Sequence, residues 1–221
     1  MNIEKTVFKL SFCLVLVICY TFGLGGNWTW INGWIFIALF MGLLFAAVLP
    51  PMKNLRLLKR IFHLSYQKER DFHDKITLLF FRIFLLIWFI IMPLDASRYN
   101  WSSEFPLWLS TIGVIGFLIA NVLIYHIFKQ KLFLVTVVKD KIVTTTGLYK
   151  IVRHPMYMAI ILVTLSGAIV LNSTYGIYIS AIIAYILYVR IIFEEKIYME
   201  ELIDYREYKH KVKHILIPYV F

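Results

Sequence analysis

Residues 155–193 read PMYMAIILVTLSGAIVLNSTYGIYISAIIAYILYVRIIF, and Arg190 is the only charged side chain among them. A run this long and apolar exceeds what one soluble helix can bury, whereas a bilayer takes roughly 20 helical residues per crossing. Asn172 and Ser173 interrupt it near the middle, so the stretch predicts two crossings, Pro155 to Leu171 and Tyr175 to Phe193, joined by a tight turn. The result is an antiparallel hairpin whose two free ends meet at one membrane face.

The same pattern continues toward the N-terminus. Apolar runs near Val7 to Leu24, Trp30 to Leu49, Ile76 to Ala96 and Pro106 to Phe128 bring the expected number of transmembrane helices to about six. The sequence therefore predicts an all-α, polytopic membrane helix bundle in a single domain, 1–221. Residues 1–128 form a four-helix N-terminal part, and 129–221 form a C-terminal part with the hairpin 155–193 and a polar tail. With 61% hydrophobic and 16% charged residues, the chain has more apolar surface than a water-soluble core of this size buries, and lipid takes up the excess.

Charge sets the orientation, because lysine and arginine resist translocation. Lys53, Arg56, Lys59, Arg60, Lys68, Arg70 and Lys75 fill the second connection, and Lys129, Lys131, Lys139, Lys141, Lys150 and Arg153 fill the fourth. The first, third and fifth connections hold only Arg98. Both basic connections are expected in the cytoplasm together with both termini, the tail carrying Lys196, Arg206, Lys209, Lys211 and Lys213. An integral membrane protein with a cytoplasmic site is the expectation.

The formal charge of +10 is spread over these connections, where anionic headgroups account for it without nucleic acid. Membrane lipids are the expected partners; the oligomeric state is not legible. Cys13 and Cys19 lie six residues apart in the first run, on different helical faces and with no histidine at ligand spacing, so no metal site is expected. That run is expected to remain as a span. Trp28, Trp30, Trp34 and Trp101 cluster at the outer boundary as interfacial anchors. The loop from Lys53 to Lys75 has the spacing of a basic surface helix, with Leu55, Leu58 and Phe62 on one side. Arg82 lies close enough to the cytoplasmic end of the third span to snorkel.

Chemistry concentrates where the hairpin closes. Gly147-Leu148-Tyr149-Lys150-Ile151-Val152-Arg153-His154-Pro155-Met156-Tyr157 leads into its first helix, and Arg190-Ile191-Ile192-Phe193-Glu194-Glu195 leaves its second. Pro155 suits a first helical turn, where its missing N–H has no intrahelical partner. Packed helix axes lie about 8–10 Å apart, so a guanidinium, an imidazole and two carboxylates can line one small site at the water boundary. Such a set matches a small zwitterion such as S-adenosylmethionine: Arg or His donors for its carboxylate, acidic groups for its ammonium and sulfonium. Taken singly, each motif is equally well a positive-inside boundary or a solvated helix end, with Arg190 and Glu194 spaced for a helical ion pair.

These motifs resemble the isoprenylcysteine carboxyl methyltransferase family, closest to its small prokaryotic members, which shares a C-terminal pattern with phospholipid methyltransferases. The family's Gly-Pro-Tyr, Arg-His-Pro-x-Tyr, Arg with Glu-Glu, and tyrosine-rich tail ending in Ile-Pro correspond to Gly147–Tyr149, Arg153–Tyr157, Arg190–Glu195, and Tyr205, Tyr208, Val212, Ile217 and Pro218. Leu148 stands where the family has proline. Lys131 and Leu132 precede Phe133 where relatives often carry polar residues.

The resemblance implies S-adenosylmethionine held by Tyr149, Arg153, His154, Tyr157, Arg190, Glu194 and Glu195, with Arg153 and Glu195 as catalytic candidates and a lipophilic or prenylated acceptor. No Gly-x-Gly-x-x-Gly helix start is present, in keeping with a family that binds its cofactor without a Rossmann domain. The acceptor may be read from the sequence as a prenylcysteine carboxyl, a phospholipid or a small lipophilic nitrogen or sulfur compound. A sterol-reductase-like NADPH enzyme and a lipid-binding or transport protein are the remaining alternatives. Replacing Arg153, Glu194 or Glu195 by alanine is expected to abolish cofactor binding with thermal stability nearly intact. The hydrophobic loop Phe133 to Val138 is either a lateral entrance from the bilayer or packing.

Overall fold

The computed structural model describes residues 3–52, 72–129, 146–202 and 204–217. The expected surface helix before Lys75 falls largely outside them, as do the loop from Phe133 to Val138 and Pro218. The described residues contain helices and no strand. The long ones are α1 (Ile3–Gly25), α2 (Ile31–Met52), α3 (Phe72–Pro93), α4 (Leu107–Lys129), α5 (Pro155–Val170) and α6 (Thr174–Glu201). A short α7 (Tyr205–Lys211) follows, and a 3-10 turn, Gly147–Lys150, precedes α5.

All six predicted runs are helical. Four of these helices, α2, α3, α4 and α6, are long and apolar enough to cross a bilayer by themselves. The apolar part of α1 (Ser11–Gly25) and the 16-residue α5 are shorter. At 1.5 Å per residue α5 spans about 24 Å, somewhat less than the roughly 30 Å hydrocarbon layer. The protein is a membrane helix bundle in which α5 reaches the polar boundary sooner than its neighbours, which lets a buried polar site form at its N-terminus.

Sequence neighbours are not always spatial neighbours. α4 packs between α2 and α5, α5 pairs with α6, and α6 lies against α3, while α1 touches α2 and α3. Six helices thus close into a ring around Phe36, Trp88, Met92, Phe117, Ile183 and Leu187, all essentially inaccessible. Close approach of α4 to α5 depends on Gly113, where a Cβ would stand 2.7 Å from Ile169 Cγ2 and 3.1 Å from the Val170 nitrogen. Two polar contacts cross between helices inside the bundle: Trp88 Nε1 donates to Ser180 Oγ (3.0 Å), and Asn121 Nδ2 donates to the Leu39 carbonyl (3.1 Å). In lipid, where no water competes, such pairs fix which helix faces meet. Arg82 is exposed on α3.

The hairpin turn closes as the sequence requires. Asn172 adopts φ 62°, a left-handed conformation that asparagine tolerates better than most side chains. Ser173 caps α6 by accepting from the Gly176 amide (2.9 Å) and donates to Asp95 Oδ2 (2.6 Å). Asp95 sits in a π-helical extension of α3, Leu94–Arg98, and also accepts from Ser102 Oγ (2.8 Å). At this end Phe22 stacks with Trp28 at 4.9 Å, and Tyr99 with Trp101 at 5.0 Å, so the expected aromatic belt gathers at the pole opposite the basic one.

Candidate active site

At the basic pole, Pro155 occupies the first turn of α5, and His154 precedes it as the cap residue. Across from them α6 does not stop at Phe193. It continues to Glu201, eight residues or about 12 Å further, because Tyr198 and Met199 pack against Leu202, Tyr205, Tyr208 and Val212 of the tail. Glu194 and Glu195 are therefore set within a rigid helix instead of at a frayed end. Being consecutive, they point about 100° apart, and each carboxylate serves a different cluster.

Glu195 anchors the first. Arg153 Nε donates to Glu195 Oε1 at 2.6 Å, His154 Nε2 lies 3.4 Å from the same oxygen, and Lys209 Nζ reaches Oε2 at 2.8 Å. The Arg153 side chain is 5% exposed and that of Glu195 10%. Burial this deep makes the pair costly to break from one side. Arg153 has further commitments: Nη1 donates to the carbonyls of Val212 (2.8 Å) and Lys213 (2.9 Å). Its backbone N–H and that of His154 donate to the His214 and Ile215 carbonyls at 2.9 and 3.0 Å. The tail from Val212 to Ile215 is thereby tied to the start of α5 like an extra strand, and Arg153 is the clamp.

Glu194 anchors the second cluster. Tyr157 donates its hydroxyl to Glu194 Oε1 at 2.7 Å, and Arg190 brings Nη2 and Nε to the same oxygen at 2.9 and 3.0 Å. The Arg190 guanidinium lies over the Tyr157 ring at 5.7 Å, and the His154 imidazole stacks with the same ring at 5.6 Å and 12°. Glu194 is also within electrostatic reach of Tyr149 and Tyr198. Burial, reinforced by the Glu194 charge, pushes the Tyr149 hydroxyl up to about 12, so it remains a neutral phenol at any physiological pH. Tyr208 donates to the Tyr149 carbonyl at 2.8 Å and holds the 3-10 turn in place. A carboxylate ringed by neutral tyrosines attracts a cation twice over, by charge and by the negative faces of the rings.

Every candidate residue of the hairpin thus converges on one pole, in two linked groups: Arg153, His154 and Glu195, and Tyr149, Tyr157, Arg190 and Glu194. Three participants escaped the sequence reading. Lys209 could be found from its position one helical turn past Tyr205; Tyr198 follows Glu194 at i+4. The carbonyls of Val212 and Lys213 carry no sequence signal at all, since any residue supplies them. Among the described residues no group of His, Cys, Asp and Glu is arranged to hold a metal ion.

No curated protein matches the chain. Residues 108–206, just under half of the sequence, match a family model described as phospholipid methyltransferase. The matched stretch begins in α4, includes the whole hairpin with both carboxylates, and ends at Arg206 in α7, before Lys209. That stretch, which holds Arg153, His154, Tyr157, Arg190, Glu194 and Glu195, is similar to a family of integral membrane methyltransferases related to the isoprenylcysteine carboxyl methyltransferases that the motifs resemble.

Proposed function

We propose that the protein transfers a methyl group from S-adenosylmethionine to a lipophilic acceptor at the cytoplasmic boundary of its membrane, in a prokaryotic plasma membrane. The observation that carries this reading is the Glu194 carboxylate ringed by Tyr149, Tyr157 and Tyr198 in the segment common to the methyltransferases. When bound, the cofactor supplies a methyl group on a positively charged sulfur, an activated leaving group that needs no metal.

The residues present suit it. Glu194 and the tyrosine faces balance the sulfonium and ammonium charges, and Arg190 with His154 offers donors for the carboxylate. Glu195 and Arg153 neutralise one another and hold His154 and the α5 start in register, so that the cluster is preorganised. Exclusion of water by the packed tail strengthens these electrostatics, and orientation of two bound reactants can supply about 7–11 kcal/mol of the barrier at best.

The acceptor approaches from the bilayer. A prenylcysteine carboxylate fits the motif resemblance and loses no proton on methylation; the oxygen–carbon bond forms as the carbon–sulfur bond breaks. A phospholipid amine is the second reading, favoured by the description of the matched family; it requires a base for the departing proton. Glu195, the candidate from sequence, suits that role poorly, because although burial alone would raise its pKa, the hydrogen bonds from His154, Lys209 and Arg153 hold its carboxyl well below the usual carboxylate range.

Calorimetric titration of the purified full-length protein tests the cofactor. S-adenosylmethionine and S-adenosylhomocysteine bind with one-site stoichiometry, and NADPH does not. Folded protein that ignores both sulfur compounds would defeat the proposal, and NADPH binding would favour a reductase instead.

A further inference from the structure

Beside Arg153 lies an open cavity of about 580 Å³ lined by Arg153, Met199, Arg206, Lys209, His210 and Lys213. Its lining holds four permanent cations and a histidine and no carboxylate. Arg206, Lys209 and His210 stand at i, i+3 and i+4 on one side of α7, and Lys213 joins them after the helix has ended at Lys211, where Val212 turns extended. The opposite face, Tyr205, Tyr208 and Val212, is buried against Leu202. The arm is amphipathic: its buried face carries aromatic rings, and the side that lines the cavity carries Arg206, Lys209 and His210, while the exposed Glu207 pairs with Lys211 outside that lining.

Burying tyrosines requires one face to be covered but does not require the other to be cationic. Lys209 has a reason in Glu195; Arg206, His210 and Lys213 have no side-chain hydrogen bond or ion pair among the described residues. Arg153 and Lys209 already share the Glu195 carboxylate, so Arg206 and Lys213 are the two permanent cations of the lining with no counter-charge among the described residues, and an anion bound between them relieves their repulsion. The sign is wrong for S-adenosylmethionine, whose net charge is positive. Its size admits one headgroup or one small ester but not a polymer, which sets nucleic acid aside.

We infer that this cavity is a separate binding site for a phosphate-ester anion, read by Arg206, Lys209 and Lys213 with His210 at its rim. Guanidinium and ammonium donors lining one cavity match the several acceptor oxygens of a phosphate better than a single carboxylate. The phosphate belongs either to an anionic lipid headgroup lying at the membrane surface or to a soluble ester from the cytosol. Lys209 also holds Glu195 Oε2, so the anion site and the first carboxylate cluster share one residue.

The test reads thermal stability of the full-length protein, by intrinsic tryptophan fluorescence, and involves no methyl donor. One arm titrates inorganic phosphate against chloride at matched ionic strength in detergent. A second compares nanodiscs of phosphatidylcholine with the same discs containing phosphatidylglycerol. A saturable rise of the unfolding midpoint is expected in at least one arm: a response to phosphate assigns a soluble ester, and a response to phosphatidylglycerol alone assigns the headgroup. The variant Arg206→Gln/Lys213→Gln, which leaves Lys209 and every described contact intact, should need about tenfold more probe for the same shift, while Lys75→Gln on α3 responds like wild type. The inference is overturned if neither probe gives a saturable shift, or if the double variant responds as the wild type does. Because no cofactor is present, failure here leaves the methyl-transfer reading to its own titration.

Discussion

Arg153→Ala is expected to release the C-terminal arm and to lower the stability of the protein by about 3–5 kcal/mol, the range for removing one partner of a buried ion pair. The substitution strands the Glu195 carboxylate beside Lys209 and His154, and leaves the Val212 and Lys213 carbonyls without their shared donor. Trypsin digestion of protein in detergent gives the direct reading, since Arg206, Lys209, Lys211 and Lys213 all lie on the arm. Cleavage there should accelerate well before the bundle is cut. Arg153→Lys keeps the charge but not the planar fork that serves Glu195 and two carbonyls together, so it should fall between wild type and alanine. Unchanged digestion and an unchanged midpoint in Arg153→Ala would show that the clamp contributes nothing. The expectation from sequence that this substitution spares stability is revised by the geometry, in which Arg153 holds Glu195 and two carbonyls of the arm at once.

Glu194→Gln separates binding from folding more cleanly. The amide oxygen of glutamine can accept the same hydrogen bonds from Tyr157 and Arg190, so the α5–α6 contact persists and the midpoint should move by less than about 1 kcal/mol equivalent. What disappears is the negative charge at the centre of the tyrosine ring. Affinity for S-adenosylmethionine should fall about tenfold or more, with a smaller loss for S-adenosylhomocysteine, which lacks the sulfonium charge. Equal losses for the two ligands would mean that Glu194 acts through shape alone; no loss for either would remove it from the site.

How much of this was legible in the sequence follows from what each feature depends on. The helices were readable because apolar runs of spanning length and short polar breaks are local properties, and Asn172-Ser173 marks the hairpin turn with residues whose own chemistry suits it. Pro155 fixed the start of α5 for the same reason. The end of α6 was misjudged because its last two turns are stabilised by Tyr198 and Met199 meeting the tail, a tertiary contact that hydropathy does not register. The meeting of Arg153 with Glu195 across the hairpin follows from topology, whereas the division of labour between Glu194 and Glu195 does not: consecutive helical residues diverge, and the partners each one meets are set by the tail and by α5. The third layer, the arm folded over the start of α5, uses backbone carbonyls and was invisible from side chains.

The central claim is that this bundle moves a methyl group from a sulfonium donor onto a lipophilic acceptor. It is tested most directly by incubating the purified protein in nanodiscs of total lipid extract, supplemented with a prenylated cysteine thioether, with S-adenosylmethionine labelled in its methyl group, and then counting the organic phase. Label is predicted in the organic phase for wild type and largely absent for Glu194→Gln. Base-labile volatile label would identify a methyl ester, and base-stable label a methylated amine. Folded, donor-binding protein that leaves all label in the aqueous phase across that panel would contradict the account.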